Sequence, residues 1–145
     1  MREASELSDK VEIAELITRY ATLHDSGDWE AVAGLYTEHG MMSRPTAPEE
    51  FVLGRAAILA AFLARPPRAT RHIVANVLVD LQDTTHASAT SQILLYVGTI
   101  AKDGGLPLPP TGPPLIGSFH DRLIRTDHGW RFTQRRGSLD FRAPV

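Results

Sequence analysis

The sequence predicts a single α+β domain, residues 1–145, with a mostly antiparallel sheet. Apolar residues recur at helical spacing in the first part of the chain and alternate in the second. Helices that come before long strands, rather than between them, argue against a parallel βαβ sheet. Size fits as well: 145 residues, 43% hydrophobic and 22% charged, suit one domain with one core.

Ser8 and Asp9 are N-cap candidates for the first helix, and Asp9 with Glu12 forms a capping-box pair. From there Ile13, Leu16, Ile17, Tyr20, Ala21 and His24 mark one buried face. Gly27 is the expected stop, and Asp28 caps a short second helix through "WEAVAGLY". "YTEHGMMS" reads as a short strand, and "RPTAPEE" as a loop because its two prolines interrupt a ladder. "GRAAILAAFLAR" is a third helix with Ile58, Leu59, Phe62 and Leu63 on its apolar side, closed by Pro66 and Pro67.

The period then changes. "TRHIVANVLVDLQ" alternates as a strand, with Ile73, Ala75, Val77 and Val79 on one face and His72, Val74, Asn76 and Leu78 on the other. "ASATSQILLYVGTI" is a second long strand. "KDGGLPLPPTGPP" is a loop by its Pro and Gly content. "LIGSFHDRLIRT" and "GWRFTQRRGSLDF" are two further strands, joined through the turn-like "TDHG".

Several classes of chemistry are disfavoured. The chain has no cysteine, hence no disulfide, thiolate nucleophile or thiolate metal site. A formal net charge of −2 gives no overall pull toward nucleic acid or anionic membrane. "MREASELSDK" lacks the apolar core of a signal peptide, and no apolar run approaches the ~20 residues of a membrane span, so a cytoplasmic location is expected. The six histidines, His24, His39, His72, His86, His120 and His128, show no i, i+2 or i, i+4 pair, and no metal is expected. No Gly-rich phosphate loop follows a strand, and no organic cofactor is expected. Arg122, Arg125, Arg131, Arg135, Arg136 and Arg142 are interleaved with Asp121, Asp127 and Asp140, as on solvated strand faces or at subunit salt bridges.

The residues with chemical potential are Tyr20, His24 and Asp25, in the last turn of the first helix, and His72 on the long strand. Each has an ordinary explanation alone: a core phenol, an imidazole near a helix C-terminus, a helix-end carboxylate, a strand histidine. The face carrying His72, Val74, Asn76 and Leu78 mixes apolar bodies with a few polar groups, as pocket walls do.

Three segments, "IAELITRYATLHDSGDWEAVAGLYTEHGMM", "TRHIVANVLVDL" and "GSFHDRLIRTDHGWRFTQRR", together resemble the SnoaL-like branch of the NTF2-like superfamily, near bile-acid 7α-dehydratase and, more distantly, scytalone dehydratase. The resemblance runs from Glu6 to Arg136. It implies a cone-shaped α+β barrel, a curved, mostly antiparallel mixed sheet wrapped around three helices. It also implies a catalytic set of Tyr20, Asp25 and His72 facing one pocket. Asn76, His24 and Trp29 are implied substrate contacts. So is an arginine of the last strand, Arg135 or Arg136; alternation sends these to opposite faces and spacing favours Arg135.

The implied activity is cofactor-independent lyase or isomerase chemistry on a small hydrophobic hydroxy-carbonyl compound. His72 would be the acid/base, since an imidazole titrates near neutrality. Asp25 would orient it, and Tyr20 would donate to the oxygen. Three alternatives stay within the fold: an Asp-based polyketide cyclase, a ligand carrier, and a structural subunit like the dioxygenase β chain. A homo-oligomer, trimer or dimer, is expected because both sheet faces carry apolar residues. Two departures stand out. "TEHGMM" lacks the Asp that relatives often carry near His39, and the Pro/Gly-rich segment at 102–115 is not a family hallmark; it is a lid or an interface.

Overall fold

Local signals set most of the architecture. The computed structural model describes residues 1–141; Arg142 and the end of the expected 1–145 domain lie outside the described residues. The elements run α1 (Arg2–Ser26), α2 (Trp29–Ala33), β1 (Tyr36–Arg44), β2 (Ala47–Leu53), α3 (Arg55–Leu63), β3 (Ala69–Leu81), β4 (His86–Gly98), β5 (Leu115–Thr126) and β6 (Gly129–Leu139). The six strands form one sheet in the order β2-β1-β6-β5-β4-β3. Every pairing is antiparallel except β1 with β6. The expected mixed sheet is present, with β2 and β3 as free edges, so the barrel is open.

α1 buries Ile13, Leu16, Ile17, Tyr20 and Ala21, the predicted stripe, and packs mainly against β3. It begins at Arg2, so neither Ser8 nor Asp9 caps it. Asp9 instead accepts from Arg125 Nη2 at 2.5 Å and from the Trp130 indole at 3.2 Å. Glu12 accepts from the Trp130 backbone N–H at 3.3 Å. Sheet partners therefore claim the two carboxylates that a local reading assigned to a cap. Gly27 ends the helix in the left-handed conformation at φ 73°, and Asp28 accepts from the Ala31 N–H at 3.2 Å, both as expected.

Two strand expectations need correction. "APEEFVL" is a strand, not a loop: β2 lies at the sheet edge, where Pro48 near its start is tolerated. On β3 the alternation is broken at Asn76, which has φ 52° and sits where the pairing with β4 shifts register, between Ala75 and Leu78. Asn is among the few residues that enter this region readily. The extra residue turns the strand over. His72 and Val74 face inward before it and Val77, Val79 and Leu81 after it, while Asn76 and Leu78 face outward.

The core gathers on the inner face under α1 and α3. Tyr36, Phe62, Trp130 and Phe132 are fully buried there with Ile13, Ile17 and Ile58. Each buried aliphatic or Phe side chain of this kind contributes ~1.5–3 kcal/mol. Close packing extends to the turn after β1: the Gly137 position lies 2.5 Å from the Pro45 nitrogen if a Cβ is placed on it, so only glycine fits. Toward this end the core does not close, and a cavity remains.

Candidate active site

The cavity, about 390 Å³, is lined by Ile17, Met42, Val74, Ile93, Leu95 and Phe119, with Tyr20, His24, His72 and Arg135 among them. Its walls are mostly apolar, with directed polar and basic groups set among them, as in small-molecule sites.

Asp25 leaves the last turn of α1 toward β3 and is held by three hydrogen bonds. The His72 ring donates from Nδ1 to Oδ1 at 2.5 Å, the His72 backbone N–H donates to Oδ2 at 2.8 Å, and Thr70 Oγ1 donates to Oδ1 at 2.9 Å. Burial by itself raises the carboxyl pKa; the His72 and Thr70 hydrogen bonds outweigh it, and the net direction is down. Asp25 is therefore an anion at neutral pH. With its proton on Nδ1, the neutral His72 ring leaves Nε2 as an acceptor. Nε2 has no protein partner among the described residues, and the ring lines the cavity.

His24 packs edge-on to His72, with ring centroids 4.8 Å apart. The Arg65 guanidinium donates to its Nε2 at 2.8 Å. Burial, His72 and Arg65 push its pKa down to about 3, so it stays neutral. Its Nδ1 is buried without a partner. Trp29 does not reach the cavity; it stacks on Phe62 and packs edge-on to His24, supporting the wall from behind. Asn76 is not on the wall either. The bulge directs it outward, where it donates to Gln92 Oε1. Of the expected contacts, then, His24 and Arg135 line the cavity, whereas Asn76 and Trp29 do not.

The other end of the cavity is cationic. Arg135 is 1% exposed and its guanidinium lies 3.9 Å from the Phe119 ring centroid, 4.2 Å from Tyr20 and 5.0 Å from Phe132. Its Nε is 3.2 Å from Asp121 Oδ1, an ion pair with both side chains buried. Asp121 was expected among solvated acids; the inward phase of β5 buries it instead. Burial raises its pKa to about 6, against the lowering effect of Arg135. Arg136 points the other way and pairs with Glu49.

Tyr20 shares a 2.9 Å hydrogen bond with the buried hydroxyl of Tyr36. Burial raises both phenol pKa values, so both keep their protons. If Tyr36 is the donor, the Tyr20 O–H is left for a ligand. Tyr36 escaped the sequence reading, as did Ser43, whose buried Oγ has no partner and whose side chain lines the cavity. Arg44, Arg65 and Arg68 were missed too. They lie at a strand end and in the α3–β3 connection, where no periodicity flags them. Of the 102–115 loop only Leu115 lines the cavity; Thr111 is tied to the Val97 carbonyl at 2.8 Å.

A metal is another use for such residues. Ligand atoms of His24, Asp25 and His72 lie within 4.8 Å of one another. The bonding opposes it: both Asp25 oxygens are occupied, and His24 Nε2 faces the Arg65 cation.

The fold matches known proteins. The SnoaL-like domain family matches residues 5–136, and the chain belongs to that family, within the NTF2-like superfamily. Three solved structures from Novosphingobium aromaticivorans are similar. An NTF2-like protein with a cystatin-like fold has 26% identity, a TM-score of 0.77, and coverage of 96% of this chain and 86% of its own. A proposed scytalone dehydratase has 21% identity, a TM-score of 0.78 and coverage of 100% and 95%. A proposed aromatic ring hydroxylase has 20% identity, a TM-score of 0.75 and coverage of 95% and 93%. No curated protein matches the chain. No helix among the described residues is long and apolar enough to cross a membrane.

Proposed function

We propose that the cavity is the active site of a cofactor-independent lyase or isomerase acting on a small hydrophobic hydroxy-carbonyl compound. One observation carries this: His72 is fixed by an ionised Asp25 through Nδ1 while its Nε2 is left open to an apolar cavity. This is the arrangement of a base whose tautomer is set and whose protonated form is stabilised.

His72 Nε2 removes a proton from the carbon beside the carbonyl, and the carbonyl oxygen takes up the electron pair. Arg135 and the Tyr20 hydroxyl receive that oxygen, the first as a preset positive charge, the second as a hydrogen-bond donor. In a dehydration the same proton passes from Nε2 to the departing β-hydroxyl, which leaves as water as the carbon–carbon double bond forms. In an isomerisation it returns to another carbon. Both balance without a redox partner. Asp25 as the direct acid/base, the cyclase alternative, is disfavoured by its three hydrogen bonds and its position behind the His72 ring.

Proton exchange tests this without knowledge of the final step. A panel of cyclic ketones and β-hydroxy ketones is incubated in D2O, and deuterium uptake at the α-carbon is followed by NMR. The wild type accelerates uptake, and His72→Asn lowers it by ~10²-fold or more. Binding of the ketones with no His72-dependent exchange would make the protein a carrier.

We also propose a homo-oligomer. Ile73, Leu78, Tyr96 and Ile116 stand exposed on the outer face of β3, β4 and β5. A second copy covers them. Light scattering that gives a monomer mass at micromolar concentration would contradict it.

A further inference from the structure

We infer that the substrate carries an anionic oxygen group, a carboxylate or phosphate, held at the cavity mouth by Arg44, Arg65 and Arg68. The inference rests on the reading of the cavity as a substrate pocket and adds the class of substrate.

All three arginines line the cavity. Arg44 and Arg68 are exposed and Arg65 is half-buried, so they stand at its opening rather than its floor. They come from two places: the end of β1, and the segment "RPPR" that joins α3 to β3. Pro66 and Pro67 fix the backbone between Arg65 and Arg68.

The charges are unbalanced. Among the described residues none of the three has an ion-pair partner. The nearby acids are spent: Asp25 on His72 and Thr70, Asp121 on Arg135. Arg65 is also positioned. It lies 4.8 Å over the Phe62 ring and bonds His24 through one Nη1 hydrogen, leaving the rest of its fork free. Arg44 and Arg68 act on it as like charges. Three guanidinium groups converging on an apolar cavity, in a chain of net charge −2, are a local excess that an anion would relieve. Guanidinium matches carboxylate and phosphate oxygens with paired hydrogen bonds.

The position suits the chemistry. Arg65 touches His24, and His24 touches His72. An anion seated on Arg65 is one imidazole away from the base, with the apolar body of the substrate along Val74, Ile93 and Leu95.

Matched probes test it. Calorimetry compares 2-naphthoate with the neutral 2-naphthamide for the wild type, Arg44→Gln, Arg68→Gln and the double variant. The wild type prefers the acid about tenfold or more. Each substitution weakens the acid and leaves the amide unchanged, which also verifies folding. Arg71→Gln, on the outer side of β3, is the control for total charge and keeps the preference. Equal affinities in the wild type, no saturable binding of the acid, or equal loss in Arg71→Gln overturns the inference. Replacing 2-naphthoate by 2-naphthyl phosphate separates the two anions. The D2O experiment is independent: His72-dependent exchange of neutral ketones stands even when the acid preference fails.

Discussion

On the wall of the cavity, Asp25 meets His72 through hydrogen bonds that fill both carboxylate oxygens. At the floor, Asp121 meets Arg135 at 3.2 Å, and neither Asp121 oxygen has a hydrogen bond. The wall pair joins two groups that can exchange charge states, and one ring nitrogen stays open. The floor pair joins a carboxylate to a guanidinium that does not titrate, flanked by three aromatic rings at the cavity's edge. In the proposed reaction the wall moves a proton. In the same reaction the floor holds a positive charge in place before it is needed. Substitutions at the two sites should therefore separate turnover from stability.

The largest effects on turnover belong to the wall. His72→Asn lowers α-carbon exchange by ~10²–10⁴-fold, the usual range for a lost general base. Asp25→Asn removes the charge that stabilises the imidazolium and no longer fixes the tautomer, and its loss reaches a comparable range, up to ~10⁴-fold. Asp25→Asn also turns its amide NH2 toward a donor, the His72 backbone N–H, so its unfolding cost is ~1–2 kcal/mol, below that of the floor. Undiminished exchange in Asp25→Asn would remove the dyad.

The largest effect on stability belongs to the floor. Asp121→Leu strands the buried Arg135 charge and costs ~3–5 kcal/mol, measured by urea unfolding. Asp121→Leu with Arg135→Met recovers most of that loss but not the exchange activity. If Asp25→Asn destabilises as much as Asp121→Leu, the contrast between wall and floor fails.

The two ends also respond to pH with opposite sign. His24 has a folded pKa of about 3, below the ~6.5 of a free imidazole. Between those values the unfolded chain binds a proton that the native state refuses, so this contribution to stability is complete above ~6.5 and lost as pH falls toward 3. Asp121, raised to about 6, binds a proton in the native state that the unfolded chain releases above ~4. Its contribution falls as pH rises through that window. Urea midpoints from pH 4 to 7 should rise less steeply in His24→Phe and more steeply in Asp121→Asn.

Legibility in the sequence followed the range of the signal. α1, its Gly27 stop and the position of Asp25 are local, and the spacing gave them. The meeting of Asp25 and His72 came from resemblance, because no local rule ties a helix end to a strand 47 residues on. The Asp121–Arg135 pair was hidden because an acid among arginines reads as a wet surface, and only the sheet register reveals its burial. The same holds for Tyr36, whose role is set by the phenol of Tyr20, and for the arginines of the mouth, which sit outside any periodic element.

The smallest expected effect marks the limit of both regions. Asn76 lies two residues past Val74 on a strand whose wall it was expected to share, and one positive φ removes it. Asn76→Gly keeps that conformation and changes stability by no more than ~0.5 kcal/mol, with exchange unchanged. Asn76→Val is a β-branched residue forced to φ 52° and costs ~1–2 kcal/mol, again without loss of exchange. The conformation matters because the bulge lets His72 and Val77, five residues apart and therefore on opposite faces by simple alternation, both turn inward. A drop in exchange for the glycine variant would mean that Asn76 touches substrate after all, and that the wall continues through the bulge instead of ending at Val74.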